Sequence, residues 1–215
     1  MHVVKKKNKG SRKNLTIRRL STYLRTIDHL RNKGIDVVSS SDLEKIEGFT
    51  QSLVRRDLSE FGSFGVRGVG YNVAVLREQI AQILGFDRHW NVVLIGSGEF
   101  SDVLIHSEAF CKRNLEIVQI FSSSVSPASF NDQKVPVHSL ELLEEKLDIS
   151  TVDIAIVVVP PPEVQKIIDR LGQLGVRGAL YFASRPVDVP KNMIVLNMDI
   201  TIELGMLTHQ LCHGG

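Results

Sequence analysis

The sequence predicts two folds in series: a winged helix-turn-helix (α+β), then an α/β Rossmann-like parallel-sheet domain that ends in a C-terminal helix. Three observations carry this. Residues 40–71 read SSDLEKIEGFTQSLVRRDLSEFGSFGVRGVGY, two short helical patterns followed by a run rich in glycine. Residues 90–98, WNVVLIGSG, join a continuous apolar strand to a Gly-x-Gly turn. Charge is also divided. Positions 1–85 hold 16 Lys/Arg against 8 Asp/Glu, net +8, and positions 86–215 hold 10 against 16, net −6. A basic front half on an acidic back half points to a polyanion that meets the front alone.

The chain begins with a basic arm, 1–14, in which Lys5, Lys6, Lys7, Arg12 and Lys13 are candidate phosphate contacts. Between 16 and 33 the apolar residues Leu20, Tyr23, Leu24, Ile27 and Leu30 recur at helical spacing, and Gly34 ends the helix. No acid precedes Asp28, so Arg18, Arg19 and Arg25 ride an unopposed positive helix suited to a DNA backbone. Ser40 or Ser41 caps a second helix, and Gly48-Phe49 turns the chain. Thr50 caps a third helix with Leu53, Val54, Leu58 and Phe61 as its apolar stripe. Opposite that stripe, Ser52, Arg55, Arg56 and Ser59 are offered to the major groove. Gly62, Gly65, Gly68 and Gly70 then suit a tight hairpin with Arg67 at its tip, where it meets the minor groove or the backbone. A helix over 75–84 closes this domain, 15–85, and a linker over 86–89 opens the next.

From 86 to 200 apolar strands alternate with helices: strands at 90–95, 115–121, 135–137, 153–159, 178–182 and 194–197, with helices to about 112 and over 139–146 and 162–174. Such an alternation packs as a parallel sheet covered on both faces. A last helix follows over 201–211, within a C-terminal segment 201–215. At the first strand's end, Gly96, Ser97, Gly98, Glu99, Phe100 and Ser101 form a candidate pyrophosphate turn, with Pro160 a further crevice residue. Ser101 stands where a third glycine would close helix on strand. The second strand ends at Phe121 in Ser122, Ser123 and Ser124, where a carboxylate for a ribose hydroxyl is expected. Serine donates to a hydroxyl or a phosphate, and a neutral loop does not repel a 2′-phosphate. Either an adenine nucleotide is retained there, or the fold is kept for its shape.

No Tyr-x-x-x-Lys, Gly-x-Ser-x-Gly or P-loop lysine is present, so no catalytic residue is assigned. His209, Cys212 and His213 share one helical face at a terminus, and no metal site is assigned to them. Cys111 and Cys212 make no disulfide framework, and no apolar run is long enough for a membrane span. A cytoplasmic protein with no membrane partner is the expectation.

VRRDLSEFGSFGVRGVGY (54–71), WNVVLIGSG (90–98) and NMDITIELGML (197–207) together resemble the Rex family of redox-sensing transcriptional repressors. The resemblance runs over about 18–211, nearly the whole chain. It implies a homodimeric, non-enzymatic repressor that binds double-stranded operator DNA, takes NAD(H) as effector and lets go when NADH binds. It also implies a dimerisation role for the last helix, swapped into the partner, and a coupling pair of Arg25 with Asp199. Departures from the family pattern cluster at the sensor: Ser101 for glycine, Ser122 and Ser124 for aspartates, Ser107 for a tyrosine, and Ser184-Arg185 after Phe182-Ala183. The expectation is therefore weakened or lost NADH response, with another nucleotide or constitutive DNA binding open. Two other classes stand beside it: a small nucleotide-dependent enzyme with an N-terminal docking domain, and a CoA- or nucleotide-binding sensor.

Overall fold

A computed structural model describes residues 9–66, 68–96, 103–123 and 135–214, with side chains from 13 onward. The chain divides into two compact units, Met1–Arg88 and His89–Gly215.

In the first unit α1 spans Lys9–Asn32, so helix begins inside the stretch expected to be an arm. Only Gly10 in its first turn disfavours helix, and 12–20 continue in residues that tolerate it well. The stripe Leu20, Tyr23, Leu24, Ile27 and Leu30 is buried as its spacing predicts. A two-residue strand β1, Val37–Val38, precedes α2, Ser40–Glu47. The cap of α2 is Ser39, one residue before the expected serines, because Ser39 alone stands three residues from Asp42. Its hydroxyl accepts from the Asp42 amide, and the Asp42 carboxylate accepts from the Ser39 amide. This is a capping box, closing two otherwise open N–H groups. After Gly48, Thr50 caps α3, Gln51–Ser59, as expected.

The stripe of α3 differs from its sequence reading. Val54 and Leu58 are buried, Leu53 is half-exposed, and Asp57 takes a core position at 1% exposure. Strands β2, Gly65–Val66, and β3, Gly70–Asn72, form the predicted hairpin. Here β3 also pairs with β1, giving an antiparallel sheet of order β1-β3-β2. Asn72 caps α4, Val73–Ile83, which starts two residues before the expected point because the Asn72 side chain accepts from the Val75 amide.

The second unit is a six-stranded parallel sheet of order β6-β5-β4-β7-β8-β9. Its strands are β4 Trp90–Gly96, β5 Leu115–Ser122, β6 Val137–Ser139, β7 Ile154–Val158, β8 Gly178–Tyr181 and β9 Ile194–Asn197. From β4 the chain runs outward to β6, then returns to the other side of β4 at β7. Ligands of open α/β sheets bind at such a reversal. Both faces of β4 are buried: Val93 and Ile95 pack with Val164, Ile167 and Leu171 of α7 (Pro161–Leu174). On the opposite face, Val92 and Leu94 pack with Ile117, Ile120 and Ile156.

The helix expected to run from the glycine turn to about 112 is broken. Helical residues 103–105 give way at His106 and Ser107, and a single turn, α5 Glu108–Cys111, follows. Ser107 adopts extended φ/ψ as the cap of α5, a position serine favours over a helix interior. The helix expected over 139–146 is a 3₁₀ turn, Leu140–Leu142, leading into α6, Leu143–Lys146. Arg170 on α7 holds this segment: it donates to both Glu144 oxygens at 2.5 Å and to the Leu140 carbonyl at 3.0 Å. That pairing holds the Glu144 carboxyl down at about 2.

The chain ends in α8, Ile200–His213, in which every residue is exposed. Among the described residues, no helix is long and apolar enough to cross a membrane.

Candidate nucleic-acid interface and nucleotide crevice

In the first unit α3 lies against α1, and the two are tied by charge as well as by apolar packing. Arg19 of α1 grips Asp57 of α3 with two bonds, Nε to Oδ2 at 2.5 Å and Nη2 to Oδ1 at 2.8 Å. The Tyr23 hydroxyl donates to the same carboxylate at 3.2 Å. Burial, with the neighbouring Asp57 charge, pushes the Tyr23 phenol up, so it stays a donor. Arg19 therefore departs from the expectation of an unopposed cation on a DNA-facing helix: its charge is spent inside the unit. The acid that opposes it lies 38 residues away in sequence, which inspection of α1 alone does not show.

Arg25 has Glu47 only at 3.9 Å and remains 76% exposed. Thr26 also bonds Glu47, fastening α1 to α2. Arg18 and Lys13 are exposed on α1. Lys5, Lys6, Lys7, the Arg12 side chain and Arg67 lie outside the described residues.

On α3, Ser52, Arg55, Arg56 and Ser59 are all exposed, as predicted. Their surroundings differ. Arg55 donates from Nη1 to the Ser40 hydroxyl at 3.0 Å and lies 3.5 Å from Gln51 Oε1. Ser59 donates to the Arg56 carbonyl at 3.0 Å, and Ser52 bonds Thr50 at 3.2 Å. Among the described residues, the Arg56 side chain has no hydrogen-bonding partner. A groove of about 620 Å³ separates α3 from the hairpin, with Arg55, Ser59, Ser63 and Tyr71 in its walls.

In the second unit, Gly96 ends β4 opposite Val158 of β7. Its φ is +142°, and a Cβ there would lie 2.0 Å from the Val158 carbonyl oxygen. Only glycine lets β4 and β7 approach so closely at the turn. The crevice therefore has the first feature of a pyrophosphate turn. Ser97, Gly98, Glu99, Phe100, Ser101 and Ser124 lie outside the described residues. Pro160 is exposed at the end of β7, as the cap of α7.

Ser122 departs from its expected role. It is fully buried as the last residue of β5, in register with Ser139, so its hydroxyl is not presented at the surface. Ser123 is the exposed residue of that turn. The described part of the turn thus has no carboxylate to hold a ribose. Asp199 caps α8, accepting from the Thr201 amide at 2.9 Å, the Thr201 hydroxyl at 2.7 Å and Ser184 at 3.1 Å. The Thr201 bonds hold its carboxyl below the usual range. Among the described residues no group of His, Cys, Asp and Glu has the arrangement of a metal site. His209 and His213 instead stack at 4.6 Å.

A basic helix-turn-helix with a hairpin wing, carried on the same chain as a nucleotide-binding fold, defines a ligand-responsive regulator of transcription. Two family models match: one described as "Putative DNA-binding protein N-terminus" over residues 14–59, and one described as "CoA binding domain" over 87–185. The redox-sensing transcriptional repressor Rex of Carboxydothermus hydrogenoformans is 38% identical over 196 residues, covering 91% of this chain and 94% of that protein. The Clostridioides difficile repressor of the same name is 35% identical, covering 92% and 94%. The crystal structure of RSP in complex with β-NAD⁺ and operator DNA superposes with a TM-score of 0.80 at 29% identity, covering 98% of this chain and 94% of RSP. That of RSP with β-NADH gives 0.80 at 28% identity, covering 92% of each. The chain belongs to the family of redox-sensing transcriptional repressors Rex. The relatives are repressors rather than enzymes, which disfavours a small nucleotide-dependent enzyme with an N-terminal docking domain.

Proposed function

We propose that this protein is a homodimeric cytoplasmic repressor that reads a palindromic operator with α3 and the hairpin, and whose hold on NADH is weaker than the family pattern implies. The observation that carries the DNA reading is the exposed face of α3, on which Arg56 is free of side-chain partners among the described residues, in a unit of net charge +8. An exposed guanidinium on a recognition helix is suited to a guanine edge. RSP, which shares this architecture, is seen with operator DNA. Gly96, by its positive φ and its close approach to Val158, meets the first requirement of a pyrophosphate turn, and NAD(H), seen with RSP, is the group it would take. When bound, that group supplies a redox-dependent ligand; the chain's part is to hold it. The described part of the turn after β5, with Ser122 buried and Ser123 exposed, holds no carboxylate that would grip the ribose, and that is the basis for the weaker hold.

The dimer reading rests on α8. Ile200, Ile202, Leu204, Met206, Leu207 and Leu211 are 50–78% exposed, an apolar surface that a single chain leaves in water. Burying each such side chain contributes roughly 1.5–3 kcal/mol, enough in sum to drive association with a second copy. The Arg25–Asp199 pair would then form between subunits, with Asp199 giving up part of its cap.

Replacing both Leu204 and Leu207 with glutamate is expected to give a monomer by light scattering that no longer retains a palindromic duplex. A variant that stays dimeric would remove α8 from the interface.

A further inference from the structure

The groove between α3 and the hairpin has a composition that the reading of α3 as a base reader does not use. Its described lining combines serine hydroxyls and the Arg55 guanidinium with apolar side chains such as Leu58, Phe64 and Val69, and no carboxylate is among those described residues. On the hairpin wall Gly65, Gly68 and Gly70 leave stretches of bare backbone between Phe64, Val66, Val69 and Tyr71. A Cβ on Gly65 would lie 2.8 Å from the Tyr71 ring, and one on Gly70 2.7 Å from the Val38 carbonyl oxygen, so side chains are excluded there by contact. Arg55 of α3 lines this groove. Ser40, the first residue of α2, holds it at 3.0 Å and Gln51 at 3.5 Å. A guanidinium has five N–H donors, so these two bonds leave donors for an anion.

We propose that this groove seats one phosphodiester of the DNA backbone, with Arg55 as its cation, so that Arg55 positions the duplex while Arg56 reads a base. A phosphate contact neutralises a charge of fixed spacing and carries no sequence information; a base contact does the reverse. Ser63 is a further lining residue of the groove. The inference rests on the DNA-binding reading above.

The two arginines are separated by measuring operator affinity of the full-length protein across a salt series and against a set of single-base operator variants. Arg55→Gln is expected to weaken every duplex by the same factor and to lower the slope of log K against log salt by about 1, with Arg55→Lys keeping the slope. Arg56→Ala is expected to flatten discrimination at one base position. Ser63→Asp adds an anion to the groove without touching Arg55 and is expected to weaken all duplexes alike, more so at low salt. An unchanged slope in Arg55→Gln, or lost discrimination at a single position, overturns the assignment of Arg55. If Arg55→Gln does not fold, Ser63→Asp decides: operator affinity equal to that of the unaltered protein at low salt overturns the phosphate seat. Failure of the unaltered protein to hold any duplex overturns instead the DNA-binding reading itself.

Discussion

Asp57→Ala is expected to destabilise the first unit by roughly 3 kcal/mol and to weaken operator binding with it. The carboxylate is 1% exposed and satisfies three donors from α1, two on Arg19 and one on Tyr23. Its removal strands a guanidinium that is only 17% exposed and a buried phenol. Breaking such a pair costs far more than replacing it whole. The double variant Arg19→Met, Asp57→Leu, carried in a Tyr23→Phe background so that no buried donor is stranded, should therefore recover most of the stability in urea denaturation. It should also recover operator binding, because Arg19 spends its charge on Asp57 and not on phosphate. A double variant as stable as the unaltered protein but weak on DNA would return Arg19 to the interface. An Asp57→Ala variant within about 0.5 kcal/mol of the parent, the range of ordinary surface substitutions, would show that the cluster does not hold α3 in place.

Gly96→Ala should be as damaging in the second unit. The new Cβ would lie 2.0 Å from the Val158 oxygen and 2.8 Å from its carbonyl carbon, at a φ of +142° that alanine rarely adopts. Relief requires β4 and β7 to separate at the point where the sheet reverses. Strain and overpacking together give an expected loss of roughly 3 kcal/mol. The nearest atoms to a Cβ on Gly178 are 3.9 and 4.0 Å away, so Gly178→Ala is the matched control and should be tolerated. The readouts are the melting temperature of the full chain and calorimetric titration with nucleotide. Loss of stability with nucleotide binding intact would mean the turn does not form the crevice.

How much of this was legible from the residues depended on how local the cause was. The alternation of strand and helix beyond 90, the Gly-x-Gly context and the hairpin glycines are patterns that a short window displays, and the sheet and wing follow from them. What escaped is non-local. Val37–Val38 is too short to read as a strand and exists because β3 pairs with it. Asp57 sits at i+3 from Val54 and beside Leu58, on the buried face, yet a lone acid in an apolar stripe looks solvent-facing until its cation on α1 is known. The spacing alone held that signal. Ser122 was legible as the end of a strand but not as buried, because β5 lies inside the sheet with Ser122 in register with Ser139 of β6, a pairing the strand's own pattern does not show. The break at His106-Ser107 is marked by no glycine or proline, and the Ser107 hydroxyl makes no capping bond, so a 3.6-residue pattern conceals it.

The most direct test is fluorescence anisotropy of the full-length dimer on a labelled palindromic duplex, selected from a randomised pool, against a scrambled duplex at fixed salt, with and without NADH. The expected result is retention of the palindrome about 10³-fold or more over the scrambled duplex. That complex is expected to persist when NADH is added at the protein's own concentration. Equal binding to both duplexes would contradict the reading of α3 as a sequence reader, and release by stoichiometric NADH would contradict the weakened grip on its ribose.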